Sequence, residues 1–278
     1  MAPVEAVFFW ITMVVYALAG GGYIYSFVFK NERLLPKLAV LVVAGLVTHT
    51  IAIAARYQAQ GHLPWAGDYE NAMMGGWFVI VLTVYVTRRQ KPLQALAAVT
   101  LPVTLLMMGF GVMRNPTLSP MAASLKSLWL YIHVYFAWLA FGAYLLASAA
   151  GVLYLLKKKD ETRTPQNPVY LRFPAIERLE ELLFRYILFG FVTDAVMIVA
   201  GAIWAKDLWG DYWRWDPVET WSLVSWLMYG IIIHLRVTFG WRGRRLAWLA
   251  IFAIFGMIIT FFGVTFVVES SLHIFNVR

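Results

Sequence analysis

The sequence contains no cysteine. Disulfides, thiolate metal sites and a thiol nucleophile are therefore excluded, and any sulfur chemistry at this protein must use the thiols of a partner. Charged residues are also scarce, at 14% of 278 residues, whereas a soluble domain typically carries about 25%. Because 61% of the residues are hydrophobic and the mean hydropathy is +0.68, a soluble domain is excluded and a polytopic membrane protein is predicted.

The start of the chain lacks basic residues. Glu5 is the only charged side chain before and within the first apolar run, whereas a cleaved signal peptide begins with a positively charged segment. The sequence also shows no internal repeat, low-complexity tract or soluble segment. We therefore expect a single integral membrane domain over 1–278, with the first apolar run retained as a helix.

Apolar runs recur along the chain at a length, about 20 helical residues, that crosses the hydrocarbon core of a bilayer. The fold class predicted is therefore an all-α polytopic membrane protein with about eight transmembrane helices. The eight spans are expected at 7–29, 37–55, 72–87, 93–113, 127–156, 183–205, 217–236 and 246–268.

Lysine and arginine predict the orientation, because cytoplasmic loops carry the positive excess. Of the 23 basic residues, 17 follow spans one, three, five and seven. Both termini and the loop before span seven are therefore expected on the outer side. The net charge of +8 is interpreted as a topology signal, and nucleic-acid binding is not expected.

The longest non-apolar stretch, 157–182, falls on the inner side in this topology. It contains three prolines, after which Ile176, Leu179, Leu182 and Leu183 recur at helical spacing. This pattern predicts a cytoplasmic loop with an amphipathic helix that runs into span six and anchors it at the surface.

Residues 206–222, called here the tryptophan-rich loop, concentrate flat aromatic side chains at an outer membrane boundary. Indole rings are common at bilayer interfaces in any case, because they are amphipathic. The alternative is a platform for a flat ligand, which nearby histidines would favour. The aromatic residues are Trp209, Tyr212, Trp213, Trp215 and Trp221.

The end of this loop has the pattern of a helix start. Asp216 supplies an acidic N-cap, Pro217 occupies the first helical position, and Glu219 can reach back to the cap. A helix capped in this way presents the preceding residues rigidly.

The five histidines differ in their expected depth. His133 and His273 fall on the same side as the tryptophan-rich loop, and His62 lies in another outward loop. At 1.5 Å per residue, His49 lies roughly 18 Å above the inner start of its span and His234 roughly 3 Å above the inner end of its own. Two ligands of one iron must lie at similar depth, so a partner for His234 is expected from another chain.

Asp194 is an ionisable residue near the middle of span six. Such a residue is costly in hydrocarbon. We expect it to pair with His49 or His234, or to face a water-filled cavity.

The sequence W-G-x-x-W-x-W-D-P-x-E-T-W-S-L, from Trp209 to Leu223, resembles the WWD signature of heme-handling membrane proteins. The proline-x-glutamate after the aspartate is similar to the CcsA (ResC) family of system II cytochrome c biogenesis. The segments 173–179 and 201–205, and a histidine late in span seven, agree with this resemblance. It is strong over about 127–278.

This resemblance implies specific roles for several residues. His133 and His273 would be axial iron ligands of a heme b held against the tryptophan-rich loop, and His234 would belong to an inner heme site completed by a CcsB (ResB) subunit. The outward cations Arg56, Arg114, Lys206 and Arg214 are candidates for pairing with the heme propionates. The loop residues expected to contact heme are Trp209, Gly210, Trp213, Arg214, Trp215, Asp216 and Trp221.

The implied function is that of the heme-handling subunit of a holocytochrome c synthase. It would present heme for covalent thioether attachment to the Cys-x-x-Cys-His of apocytochrome c, either after carrying heme across the membrane or after receiving it outside. The location implied is the bacterial cytoplasmic membrane or a thylakoid membrane. Two alternatives stay open: a quinol-linked cytochrome b-type electron carrier, and a transporter with an aromatic gate and no heme.

Overall fold

The computed structural model describes residues 1–65, 67–118, 121–122 and 125–263. The helices named in this article are α1 Pro3–Val28, α2 Leu35–Gln60, α3 Asp68–Arg89, α4 Ala97–Arg114, α5 Leu128–Asp160, α6 Pro168–Leu171, α7 Ile176–Trp209, α8 Pro217–Thr238 and α9 Arg244–Ile258. A 3₁₀ turn precedes α2 and another precedes α4, and a π-helical turn, Ile259–Gly263, follows α9.

Eight helical segments are long and apolar enough to cross a membrane. They coincide with the eight predicted spans, so the predicted fold class is confirmed, although residues 264–268 of the last span lie outside the described residues. Several helices extend beyond their apolar runs. For example, α3 begins at Asp68 instead of residue 72, because Asp68 and Glu70 interact favourably with the amide groups of its first turn.

The described contacts divide the chain into two compact units. Unit 1 comprises Met1–Met121 and Val152–Leu179, and unit 2 comprises Ala122–Gly151 and Glu180–Arg278. The segment 157–182 contains the short helix α6, and α7 is continuous from Ile176 onwards. The residues predicted to form an amphipathic helix are therefore the first turns of α7.

Unit 1 is built on the pairing of α1 with α2 and of α3 with α4. Phe9, Tyr16 and Tyr23 recur every seventh residue on α1 and are at most 1% exposed, as expected for one buried helical face. Gly45 of α2 allows the close approach of Tyr16, whose ring would lie 2.4 Å from a Cβ at that position.

A buried ion cluster joins three helices of unit 1. Arg56 of α2 contacts Glu5 of α1 at 3.1 Å and Glu70 of α3 at 2.9 Å, and all three side chains are at most 3% exposed. Arg56 also donates to the carbonyls of Pro116 and Thr117 at 2.9 Å. Its donors are thus used within the protein, so the expectation that Arg56 pairs with a propionate is wrong.

Unit 2 contains α8, α9 and the larger parts of α5 and α7. Small residues of α5 permit close helix packing: Ala143, Ala147 and Ala150 are at most 1% exposed, and a Cβ on Gly151 would lie 3.0 Å from the carbonyl oxygen of Ala247 in α9. Small residues are the usual means of helix association in membranes, where burial of apolar surface drives little. Unit 2 carries the tryptophan-rich loop.

Candidate functional site: a histidine behind the tryptophan-rich loop

The tryptophan-rich loop leaves α7 through a left-handed turn. Gly210 has φ +88°, and its amide donates to the carbonyl of Lys206 at 3.0 Å. Such a conformation after the last helical residue favours glycine, because a Cβ would be strained there. Gly210 therefore sets the direction of the loop.

The loop ends at the predicted cap of α8. Asp216 Oδ1 accepts from the amide of Val218 at 2.9 Å, and Glu219 Oε2 accepts from the amides of Asp216 and Arg214 at 3.2 and 2.9 Å. The predicted capping box is confirmed. A capping box requires only the bond from Glu219 to the Asp216 amide. The additional bond to the Arg214 amide connects Glu219 to the loop itself.

Two of the outward basic side chains hold the loop. Lys206 Nζ donates to the carbonyl of Gly210 at 2.5 Å. The Arg214 guanidinium contacts Asp211 at 2.9 Å and donates to the carbonyl of Trp209. In this structure both basic residues thus stabilise the turn.

The aromatic side chains of the loop divide into exposed and half-buried groups. Trp215, Tyr212 and Trp221 are 70%, 59% and 38% exposed. Trp209 and Trp213 are half-buried, and Trp213 meets Trp215 edge-on with the ring centroids 5.8 Å apart. The loop thus presents exposed aromatic rings next to two half-buried indoles.

A small cavity of about 30 Å³ lies under the loop, enough for a water molecule. The indole Nε1 of Trp213 is buried and has no hydrogen-bond partner among the residues that the structure describes. Trp213 therefore offers a donor at the cavity. The lining residues are Ile198, Gly201, Ala202, Tyr212, Trp213, Val218, Glu219 and Ser222.

His133, five residues after the start of α5, packs against the part of α7 that leads into the tryptophan-rich loop. Its Nδ1 lies 2.9 Å from the carbonyl oxygen of Met197. A carbonyl can only accept, so this bond requires the proton on Nδ1 and places the lone pair on Nε2. Hydrogen bonds of this type orient histidines that bind metals and make them better ligands.

Two residues of α7 determine where the His133 ring lies. A Cβ on Gly201 would lie 2.6 Å from His133 Nδ1, so only glycine leaves room for the imidazole. Trp204, 2% exposed, lies beside the His133 ring, with the centroids 6.5 Å apart and the planes at 29°, and its centroid is 5.6 Å from that of Trp209. A chain of ring contacts thus joins His133 to the loop.

In unit 2, His133 thus contacts Trp204, which in turn contacts Trp209 at the start of the tryptophan-rich loop. The sequence analysis did not identify Met197, Gly201 or Trp204 as site residues. Their spacing of four and three residues places them on one face of α7, which is a signal that could have found them. The spacing does not show, however, that His133 packs against this face of α7.

The second predicted external ligand, His273, lies outside the described residues. Within the ranges that the structure describes, no group of three or more His, Asp or Glu side chains could hold a bare metal ion. A heme iron needs only axial ligands, and His133 fits that role because its Nε2 carries the lone pair and aromatic surface lies beside it.

His234 occupies a different position on α8. It is exposed on unit 2, its Nδ1 lies 3.2 Å from Thr238 Oγ1, and its ring meets Phe239 edge-on. Thirteen residues separate it from Trp221, which is roughly 20 Å along a helix. His234 therefore cannot share an iron with the tryptophan-rich loop.

The remaining polar residues weighed from the sequence have local partners. His49 is fully buried in α2 and contacts the Tyr16 hydroxyl at 3.4 Å, and His62 Nδ1 lies 2.9 Å from the Leu63 carbonyl. Asp194 accepts from the Tyr144 hydroxyl at 3.2 Å. Its partner is thus a tyrosine, and the expected pairing with a histidine is wrong.

The fold and this site define a class of protein: a helical, multi-pass membrane protein with an aromatic loop backed by a histidine. The family described as "Cytochrome C assembly protein" matches residues 65–272. The chain belongs to this family, in its CcsA branch, which confirms the resemblance found in the sequence.

Similar proteins carry this assignment. The "Cytochrome c biogenesis protein CcsA" of Guillardia theta is 30% identical over 246 residues, which cover 82% of this chain and 81% of that protein. The protein of the same description from Synechococcus sp. (strain RCC307) is 32% identical over 250 residues, covering 81% and 80%.

A solved structure shares the fold. The protein described as "Cytochrome c Heme Lyase CcmF" superposes with a TM-score of 0.69 at 19% sequence identity, covering 95% of this chain. The chain spans about half of that longer protein, 49% of its length. At this identity the likeness concerns the fold alone.

Proposed function

We propose that this protein is the heme-handling subunit of a system II cytochrome c synthase. It presents heme b, as a substrate, at the outer membrane face for covalent attachment to the Cys-x-x-Cys-His segment of an apocytochrome c. The observation that carries the proposal is the placement of His133, with its Nε2 lone pair, beside the tryptophan-rich loop.

His133 binds the substrate iron through Nε2 in this proposal, and His273 supplies the opposite ligand. Trp209, Trp213 and Trp215 cover the porphyrin by stacking and apolar contact, with Trp221 at the start of α8. Three further residues set the shape of the loop. Gly210 forms its first turn, Arg214 bonds Asp211 within it, and Asp216 caps the helix that follows. The polar donor at Trp213 Nε1 is suited to a propionate oxygen or to a water that bridges to it.

The attachment step requires positioning more than acid–base chemistry from this chain. Each substrate thiol adds across one vinyl group, so that the sulfur forms a C–S bond and its hydrogen is transferred to the neighbouring vinyl carbon. No net oxidation occurs, and no oxidant is needed. This chain has no cysteine, so both thiols come from the apocytochrome. The histidine of the apocytochrome segment displaces either His133 or His273 from the iron. The present protein keeps the thiols and the vinyl groups close together.

The inner histidine fits a second, shared site. His234 is exposed on unit 2 although histidine is costly on a surface that faces lipid. This exposure supports a heme site that a CcsB-type membrane subunit completes.

The proposed orientation has both termini and the tryptophan-rich loop on the outer side of a bacterial cytoplasmic or thylakoid membrane, because the basic residues concentrate in the loops of the opposite side.

The decisive test is covalent heme attachment. The chain is co-expressed with a CcsB-type partner and an apocytochrome that contains Cys-x-x-Cys-His, and heme that stays bound to the cytochrome in a denaturing gel is quantified. We expect His133→Ala to reduce attachment at least tenfold, and His62→Ala, which alters a histidine of unit 1, to retain it. Full attachment by His133→Ala would refute the proposal, whereas a cytochrome b-type carrier would keep its heme spectrum and attach none.

The shared inner site has its own test. We expect the purified complex with the partner to show a second low-spin heme signal in its absorption spectrum, which the isolated chain does not show. His234→Ala should remove this signal and leave the signal that depends on His133. A second signal that persists in His234→Ala would place the inner ligand elsewhere.

A further inference from the structure

Asp194 lies in the interior of unit 2, at the nineteenth of the 34 residues of α7. Its side chain is 1% exposed. An ionised carboxylate at this depth would lose its hydration in a hydrocarbon environment, which costs several kcal/mol or more unless a cation or several donors compensate. The neighbours of Asp194 therefore determine which form it takes.

Asp194 belongs to a cluster with two tyrosines from other helices, one of which contacts it directly. The hydroxyl of Tyr144 in α5 donates to Asp194 Oδ2 at 3.2 Å. The ring of Tyr144 is stacked on that of Tyr229 in α8, with centroids 3.4 Å apart and planes 3° apart. Both tyrosines are completely buried. Gly190 makes room for them, since a Cβ there would lie 2.5 Å from the Tyr144 ring.

Two polar atoms of this cluster have no hydrogen-bond partner among the described residues: Asp194 Oδ1 and the Tyr229 hydroxyl. No lysine, arginine or histidine of the described part of the chain bonds Asp194, whose one side-chain hydrogen bond comes from Tyr144. An ionised carboxylate is acceptor-only, so it would be left with one donor and no cation. A protonated carboxyl would have a donor of its own.

We propose that Asp194, Tyr144 and Tyr229 form a proton-binding site within the membrane-spanning part of unit 2. In this site Asp194 is a neutral carboxylic acid at neutral pH. Because Tyr144 donates to Oδ2 and Oδ1 has no partner among the described residues, the bound proton resides on Oδ1, from which it is donated to a water molecule that bridges to the Tyr229 hydroxyl. This arrangement satisfies both of the atoms that lack partners.

A proton fits this site better than a metal cation does. Hard cations such as Ca²⁺ and Mg²⁺ take about six or more oxygen ligands, whereas the cluster offers one carboxylate and two phenol oxygens. The charged residues of α7 lie at least nine positions from Asp194. Those of α8, Glu219 and Arg236, lie in its first and last turns, and those of α5 lie in its last turn, from Lys157 onwards. Protonation is thus the neutralisation that the described neighbours allow.

Infrared spectroscopy of the full chain in lipid bilayers tests this proposal, with no heme or partner added. We expect the carbonyl stretch of one buried, protonated carboxylic acid at neutral pH, with a shift in deuterium oxide, and we expect Asp194→Asn to remove that band. The matched control is Asp207→Asn, which alters an exposed acid at the end of the same helix and should leave the band unchanged.

A second variant keeps the test independent of folding in Asp194→Asn. Tyr229→Phe retains Asp194 and removes the hydroxyl to which the bridging water bonds, so the carbonyl band should remain but shift to the frequency of a more weakly bonded acid. The proposal is overturned if wild-type protein has no such band, if Asp194→Asn retains it, or if Tyr229→Phe leaves it unchanged.

Discussion

At the scale of single residues, one carbonyl and one glycine position the imidazole of His133, the proposed iron ligand. The Met197 carbonyl holds Nδ1, and Gly201 leaves the space in which the ring lies. Neither residue type is a metal ligand by itself. If His133 binds heme as proposed, changes at Met197 or Gly201 should therefore alter the heme signal even though every histidine is kept.

Gly201→Ala should displace the His133 ring, because the added Cβ would lie 2.6 Å from Nδ1. We expect at least a tenfold loss of bound heme in the absorption spectrum of the purified protein, with the helical circular dichroism unchanged. Gly109→Ala is the matched control, since its Cβ would meet nothing within 4 Å. Equal heme content in the two variants would contradict this positioning role.

The residues of the site were predictable to different degrees. The loop tryptophans and the Asp216 cap follow from a local pattern, because their contacts lie within a few residues. The contact of His133 with Met197 joins positions 64 apart, and the contact of Asp194 with Tyr144 joins positions 50 apart. Such contacts depend on how helices pack, which hydropathy does not encode.

At the scale of elements, the start of α8 is connected to the loop through Glu219. Glu219→Ala removes the acceptor of two amides, those of Arg214 and Asp216, and hydrogen bonds to a charged group are worth about 1.5–3 kcal/mol. We expect faster trypsin cleavage after Arg214 in the intact protein. Asp211→Ala, which removes only an exposed ion pair, should have a much smaller effect, and cleavage at equal rates would contradict this role of Glu219.

The ends of α1, α2 and α3 are joined by the buried ion cluster of unit 1. Arg56→Met would leave Glu5 and Glu70 buried without their cation, a change that typically costs about 3–5 kcal/mol. We expect a clear fall in the midpoint of thermal unfolding in detergent. Arg114→Met breaks an exposed pair with Asp68, which is worth at most about 1 kcal/mol. An equal fall in the unfolding midpoint of Arg114→Met would contradict the stabilising role of the buried cluster.

The helices themselves were largely predictable from apolar runs, as all eight predicted spans correspond to helices. Their ends were not, because polar residues extend helices beyond the hydrophobic window. For α2, the predicted span ends at residue 55, and the helix continues to Gln60.

At the scale of the whole molecule, the absence of cysteine allows the proposed orientation to be tested cleanly. A single introduced thiol is the only one in the chain, so a membrane-impermeant maleimide reports its side of the membrane. We expect Tyr212→Cys, in the tryptophan-rich loop, to be labelled in intact cells or spheroplasts. Arg242→Cys, between α8 and α9, should be labelled only after the membrane is permeabilised, and the reverse pattern would overturn the orientation.

The length of α7 has a mechanical consequence. Glu180, near one end, contacts Arg236 at 3.1 Å and accepts from the Gly243 amide at 2.9 Å, so this end is tied to the turn between α8 and α9. From Glu180 to Trp209 the helix is roughly 44 Å long at 1.5 Å per residue. A pivot of about 5° at the tied end would swing the far end by roughly 4 Å, by the geometry of a rigid rod of that length. If heme is held beside Trp209 as proposed, a partner that binds near Glu180 and tilts α7 can thus change the space available to the porphyrin at the other end of the helix.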